Sequence, residues 1–233
     1  MNDYEHLLPE DYETLYARYL EHPGRLMYAP DPAVPLTEKT RLLDLCAGSG
    51  ALIRVALKVG LAPNNIVAVE ESQPFAGQLH RLGSIHVIHG TVTYLPLFEH
   101  LNEEAHPFDL ITCRQAVNYW WGCEIAVAAC NLLRKGGCFV FNTFNTPCDP
   151  VPRVKQYTWE GKEYAEIAYQ IGGVVHHVQA CEGLPMHTTT FRWVPPEEFD
   201  DDLAWMVSMN VIENWTRTRN GYTDTYVLRA KVY

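Results

Sequence analysis

The stretch Arg41-Leu42-Leu43-Asp44-Leu45-Cys46-Ala47-Gly48-Ser49-Gly50 constrains the fold of this chain most tightly. It reads as a short buried strand that ends in an acid and runs into a loop of small residues. A helical stretch, Ala51 to Val59, follows at once. Small loop residues let a ligand approach the backbone, and the helix N-terminus offers free N–H groups. Such a turn suits a nucleotide-like ligand, or it is a glycine turn that binds nothing. The dinucleotide fingerprint Gly-x-Gly-x-x-Gly needs a small residue three places after Gly50, where Ile53 stands. A phosphate loop needs Gly-Lys-Ser/Thr, and none follows.

A second apolar strand, Ile66-Val67-Ala68-Val69, ends in Glu70 and Glu71. Glu70 falls about 20 residues past the loop, the interval expected of a ribose-binding acid in a nucleotide-binding βαβ unit. A carboxylate there accepts from both ribose hydroxyls. From 40 to 142 strand and helix patterns alternate. Strands are expected near 41–46, 66–70, 85–89, 108–113 and 137–142, and helices near 50–60, 73–82 and 122–134. This alternation predicts a parallel sheet covered on both faces, with ligands beyond the carboxyl ends of its strands. Asp44, Glu70, Gly90-Thr91 and Arg114-Gln115 all fall at or just past those ends.

Together these residues resemble the class I S-adenosylmethionine (SAM)-dependent methyltransferases. Motif I of that family is acid-x-Gly-x-Gly-x-Gly. Asp44 takes the acid position, Gly48 and Gly50 the last two glycines, and Cys46 replaces the first. Phe108 to Arg114 resembles motif IV. Leu132 to Val140 resembles the family's helix, glycine turn and fifth strand. After the third strand the family often carries an acid for the adenine amino group, and Thr91 stands there instead. The resemblance covers roughly 40–142 and 195–233. It implies a Rossmann-like, doubly wound seven-stranded α/β sheet of order 3-2-1-4-5-7-6 with the last strand antiparallel. It implies SAM as co-substrate, held by Asp44, Cys46, Ala47, Gly48, Ser49, Gly50, Glu70, Glu71, Thr91, Val92, Arg114 and Gln115.

The expected organisation is an N-terminal helical lid (1–36), a SAM-binding core (37–147), an antiparallel cap inserted after strand five (148–194), and a C-terminal completion of the sheet (195–233). In the first part, residues 5–21 read as a helix with Tyr12, Leu15, Tyr16, Tyr19 and Leu20 at helical spacing. These tyrosines are core packing or a lid, and a cationic sulfonium is attracted to aromatic faces. The cap reads as a meander of strands near 152–160, 163–170, 174–181 and 186–194. Asn220-Gly221 marks a hairpin near the end of the chain.

The chain has 233 residues, 47% of them hydrophobic, which suffices for a domain with its own core. Its formal net charge of -10 argues against a nucleic-acid substrate. No apolar run is long enough to cross a bilayer. The start, Met1-Asn2-Asp3-Tyr4-Glu5, lacks signal-peptide features, so a cytoplasmic protein with no membrane partner is expected. Seven cysteines without a Cys-x-x-Cys pair read as reduced thiols, and no metal is expected. A monomer and a homodimer both remain open.

Methyl transfer from SAM is an in-line displacement whose main demands are orientation and exclusion of water. A base is needed only if the nucleophile arrives protonated. Asn118 and Tyr119, after strand four, are placed to orient a polar nucleophile. Trp120 and Trp121 either wall an apolar pocket or lie in the core. The Asn/Asp-Pro-Pro-aromatic signature of nucleobase amino-methylation is missing here. In the cap, His177 and His187 are candidate bases, or they are histidines on a solvated face. Tyr164, Glu166 and Phe191 are candidate substrate contacts. The expected activity is methyl transfer to N or O of a small-molecule metabolite. The alternatives are cyclisation of SAM to azetidine-2-carboxylate with release of methylthioadenosine, a silent SAM-binding protein, and a nicotinamide oxidoreductase.

Overall fold

The structure, a computed structural model, describes residues 7–16, 36–104 and 107–231. Short apolar strands alternate with helices along the first two-thirds of the chain. They are β1 (Leu42–Leu45), α2 (Ala51–Lys58), β2 (Ile66–Glu70), α3 (Gln73–Leu79), β3 (His86–His89), α4 (Pro96–Glu104), β4 (Phe108–Cys113), α5 (Val117–Trp120), α6 (Cys123–Asn131) and β5 (Leu133–Phe144). Helix α1 (Pro9–Leu15) precedes them. Strands β6 (Arg153–Trp159), β7 (Lys162–Ile171), β8 (Val174–Cys181) and β9 (His187–Arg192) follow, then α7 (Pro196–Ser208), β10 (Asn214–Asn220) and β11 (Thr223–Arg229).

The seven-stranded sheet has the order β10-β11-β5-β4-β1-β2-β3. β1 through β5 are parallel, and β11 returns antiparallel to β5 with Tyr226 opposite Phe141. This is the predicted 3-2-1-4-5-7-6 arrangement. Every residue of β1, β2 and β4 is buried, as expected when helices cover both faces. On one face Leu42, Ile66, Ala68 and Val140 meet Ile53 and Ala56 of α2 and Leu79 of α3. On the other, Leu43, Val69, Ile111 and Phe141 meet α4, α6 and α7 through Leu101, Ala126 and Phe199.

Local chemistry accounts for the differences from the expected boundaries. α1 begins at Pro9 rather than near residue 5. Proline suits the first helical turn and pushes the preceding Leu8 into extended backbone (φ -70, ψ 144). The described part of this helix ends at Leu15, and Tyr19 and Leu20 lie outside the described residues. Helix α4 was not expected, because its apolar run is short and opens on Pro96. That proline sits at the helix start, and Leu97, Phe98 and Leu101 are buried. β5 starts at Leu133, earlier than expected, because Leu133 already pairs with Phe108. The register then shifts, and Leu110 pairs with Cys138. At this bulge a Cβ on Gly137 would stand 2.9–3.0 Å from the carbonyl oxygens of Phe108, Arg134 and Asp109, so only glycine fits.

The inserted sheet is an antiparallel meander of order β6-β7-β8-β9. Its strands match the expected ones within a few residues. Helix α1 joins the two sheets. Its Tyr12 meets Phe75 of α3 edge-on at 5.2 Å, while Leu7 and Leu15 share an apolar cluster with Tyr164 and Cys181 of the meander.

Candidate functional site

The loop after β1 winds through alternating left-handed residues: Cys46 (φ 56), Gly48 (φ 56) and Gly50 (φ 82). Glu70 fixes this loop from below. Its Oε2 accepts the Gly48 N–H at 2.7 Å and its Oε1 accepts the Ser72 N–H at 2.9 Å. Burial pushes the Glu70 carboxyl up, and these two N–H groups pull it back. Each carboxylate oxygen has two lone pairs, so both retain acceptor capacity. The two glycines do different work. A Cβ on Gly48 would meet nothing within 4 Å, so that side of the loop is open to a ligand. A Cβ on Gly50 would stand 2.7 Å from Leu79 Cδ2 and 2.7 Å from Leu82 Cδ1. Beside them Ser49 is buried and its Oγ has no hydrogen-bond partner, so a polar ligand atom would satisfy it. Ala47, half-buried, donates its N–H to Val69 O at 3.0 Å.

Cys46 occupies a conformation that favours glycine. Contact with the Cys113 thiol, together with burial, pushes the Cys46 thiol well up, which disfavours the reactive thiolate. Cys46→Gly is expected to hold or raise Tm. Cys46→Val places a β-branched residue at positive φ and is expected to lower Tm by roughly 3–10 °C. Thermal melts of the two variants check this.

Asp44 is buried at the end of β1 and accepts from Thr112 Oγ1 at 2.8 Å. Burial pushes its carboxyl from 3.8 to about 7, against the pull of Thr112 and Arg114. The folded state therefore holds this proton more tightly than the unfolded chain. The stability linked to it is present below about pH 4 and is lost as pH rises through about 7. Asp44→Asn stays neutral at every pH. Its stability advantage over wild type in urea melts is expected to grow across that window, by on the order of 4 kcal/mol at most.

The other strand ends complete the rim. Thr91 lies in a local turn, with its Oγ1 3.0 Å from Thr93 Oγ1. Glu71 is exposed, and the Val92 side chain is buried in the main core. Arg114 is half-buried near Asp44. Gln115 has φ 53, donates its N–H to Asn142 Oδ1 at 2.8 Å, and keeps a buried Nε2 without a hydrogen-bond partner. Asn118 is buried. Its Oδ1 accepts from Thr143 Oγ1 at 2.9 Å, and its Nδ2 has no hydrogen-bond partner. Tyr119 meets Phe191 of β9 edge-on at 5.4 Å, and Phe191 stacks on Phe144 of β5 at 5.9 Å. Trp120 and Trp121 take the core alternative. Both are buried in the core, with Trp121 4.5 Å from Phe199 and its Nε1 donating to Asp202. The run of aromatics follows the sheet face that receives α7, which explains their burial.

The meander meets this region through Phe191, which packs on Tyr119, and through helix α1. Gln179 pairs with His187, and His177 with Thr189. His187 is buried and His177 half-buried, so neither lies on a solvated face. Tyr16 at the end of α1 reaches His187 Nδ1 at 3.0 Å. Gln179 Nε2 donates to Leu15 O at 2.5 Å, and Tyr164 OH to Thr14 O at 3.1 Å. Burial pushes the Tyr164 hydroxyl up to about 12, so it remains a donor. Sequence reasoning missed one link. Glu13 of α1 accepts from Arg54 Nη2 at 2.6 Å, and Arg54 Nη1 donates to Ser49 O at 2.8 Å. The signal for it was a cation one turn into the helix that follows the loop. Helix α1 is thereby tied to the glycine loop at one side and to the meander at the other. Among the described residues, no group of three or more His, Cys, Asp or Glu side chains is placed to hold a metal ion. No described helix is long and apolar enough to cross a membrane.

No protein-family model matches the sequence, and no curated protein does either. The fold does have solved counterparts. A SAM-dependent methyltransferase from Clostridium acetobutylicum superimposes with a TM-score of 0.66 at 15% identity, over 95% of this chain and 97% of that one. DesVI from Streptomyces venezuelae gives a TM-score of 0.65 at 15% identity, over 94% and 98% of the two chains. A Thermotoga maritima SAM-dependent methyltransferase, described as a possible histamine N-methyltransferase, gives 0.56 at 15% identity, over 98% and 100%. The chain thus has the fold of the class I SAM-dependent methyltransferases, with the meander as an insertion after β5.

Proposed function

We propose that this protein transfers the methyl group of SAM to N or O of a small-molecule metabolite in the cytoplasm. The observation that carries the reading is Glu70. Its buried carboxylate holds the Gly48 and Ser72 N–H groups beneath a loop face that is open at Gly48, at the carboxyl ends of parallel strands. Glu70 would take the ribose hydroxyls. The loop from Cys46 to Gly50, with the unsatisfied Ser49 Oγ, would take the methionine end. Gln115 and Asn118 supply unsatisfied amide donors on the side that would face the methyl group. Helix α1 and the meander would form the acceptor side and exclude water.

The test is mass spectrometry of small products after incubation of the full chain with SAM, with and without a metabolite extract. S-adenosylhomocysteine formed only with extract is the expected result. Methylthioadenosine formed from SAM alone would show that SAM is cyclised and would overturn the reading.

A further inference from the structure

Helix α1 spans only seven residues, Pro9–Leu15. A helix this short does not hold itself in water, so its neighbours decide whether it forms and where it lies. The meander caps its carboxyl end. Tyr164 OH donates to Thr14 O at 3.1 Å and Gln179 Nε2 to Leu15 O at 2.5 Å, two carbonyls of the last turn, which a helix does not satisfy itself. Tyr16, next in the chain, reaches His187 Nδ1 at 3.0 Å, and Leu7 and Leu15 cluster with Tyr164 and Cys181. On its other side α1 meets the core. The Tyr12 ring lies 5.2 Å from Phe75, and Glu13 Oε1 accepts from Arg54 Nη2 at 2.6 Å and from Gln78 Nε2 at 3.3 Å. Arg54 carries that contact into the loop, where its Nη1 donates to Ser49 O at 2.8 Å. This carbonyl belongs to the peptide that joins Ser49 to Gly50, whose N–H donates to Ala47 O at 3.0 Å. Gly48 and Gly50 have positive φ on either side of Ser49. Glycine lets a peptide turn over at little cost, and Arg54 and Ala47 together hold this one in place. The side chains of Arg54 and Glu13 are 40% and 36% exposed, so the pair adds little to global stability. Its effect falls on the loop rather than on Tm.

We infer that α1 is a strut that couples the meander to the SAM loop, with Arg54 the positioning residue for the Ser49 carbonyl and Glu13 the positioning residue for Arg54. This rests on the reading of the loop as the SAM site. With α1 docked, Glu13 holds Arg54 and the loop is preorganised for its ligand. With α1 released from the meander, Arg54 loses Glu13, and ordering the loop then opposes binding. The coupling is reciprocal: contacts that steady α1 on the meander tighten SAM, and bound SAM steadies α1. The sheet inserted after β5 thereby sets cofactor affinity through a helix that precedes β1.

SAM is titrated calorimetrically into the full chain and its variants, beside hydrogen exchange of the α1 amides. Arg54→Met is expected to weaken SAM about tenfold and Glu13→Gln about threefold. In the Arg54→Met background Glu13→Gln is expected to add nothing, because its effect runs through Arg54. On the meander side, Tyr164→Phe keeps the ring, removes the donor to Thr14 O, and is expected to weaken SAM about threefold. Thr158→Ala, which removes a hydrogen bond to Glu163 elsewhere in the meander, is expected to leave SAM affinity unchanged. Bound SAM is expected to slow exchange of the Tyr12 and Tyr16 amides, which donate to Leu8 O and Tyr12 O, in the wild type and not in Arg54→Met. Unchanged affinity in Arg54→Met or Tyr164→Phe, additive losses in the double variant, an equal loss in Thr158→Ala, or α1 exchange indifferent to SAM would overturn the coupling. A wild-type chain that binds no SAM would overturn the reading of the loop instead.

Discussion

Glu70→Gln is expected to weaken SAM binding by about 100-fold, or roughly 2.7 kcal/mol. The side chain keeps its size, so the effect isolates the chemistry of the two oxygens. As a carboxylate, Glu70 accepts from Gly48 N at 2.7 Å and from Ser72 N at 2.9 Å. An amide has one oxygen and one NH2. Whichever way it turns, one backbone N–H faces a donor and is left unsatisfied. Hydrogen bonds to a charged group contribute about 1.5–3 kcal/mol each, and a buried unsatisfied donor adds a penalty of about 1–3 kcal/mol. The ribose hydroxyls would also lose an acceptor. Calorimetric titration with SAM, beside a thermal melt, checks this. A variant that binds SAM as tightly as wild type would remove Glu70 from the site.

Gly50→Ala and Gly48→Ala are expected to fail in different ways, although both residues have positive φ. A non-glycine residue in that region costs about 1–2 kcal/mol. At Gly50 the new Cβ also falls 2.7 Å from two leucine methyl groups that pack α3 and its last turn against the loop. Overpacking of this kind adds about 1–3 kcal/mol. Tm is expected to fall by roughly 5–15 °C. At Gly48 the new Cβ meets no protein atom and enters the open space instead. Its Tm is expected to fall by roughly 2–8 °C, while SAM affinity drops more than tenfold. Equal losses of stability in the two variants, with binding retained in both, would contradict the assignment of the open face.

The core of this fold was legible because its strands are buried on both faces. Ile66 to Val69 and Phe108 to Cys113 need no partner information to be read as strands. Asn220-Gly221 marked the final hairpin, and Glu70 announced itself by its distance from the loop. The tryptophans were not legible in the same way. An aromatic pair after β4 suits a pocket wall and a core equally well, and only the position of α7 decides between them. The packing of the meander against helix α1 was legible only in part. Strand alternation put His177 and Gln179 on one face. Nothing local in the sequence could bring Tyr16 to His187, which lies 171 residues away. Contacts of that span come from the packing of α1 between two sheets, and so does the Glu13–Arg54–Ser49 link.

The most direct test of the central claim is isothermal titration of the full chain with SAM and with S-adenosylhomocysteine. The Glu70-anchored loop predicts saturable one-to-one binding of both ligands, lost together in Glu70→Gln. Absence of heat with either ligand, or binding that survives Glu70→Gln unchanged, would contradict the account.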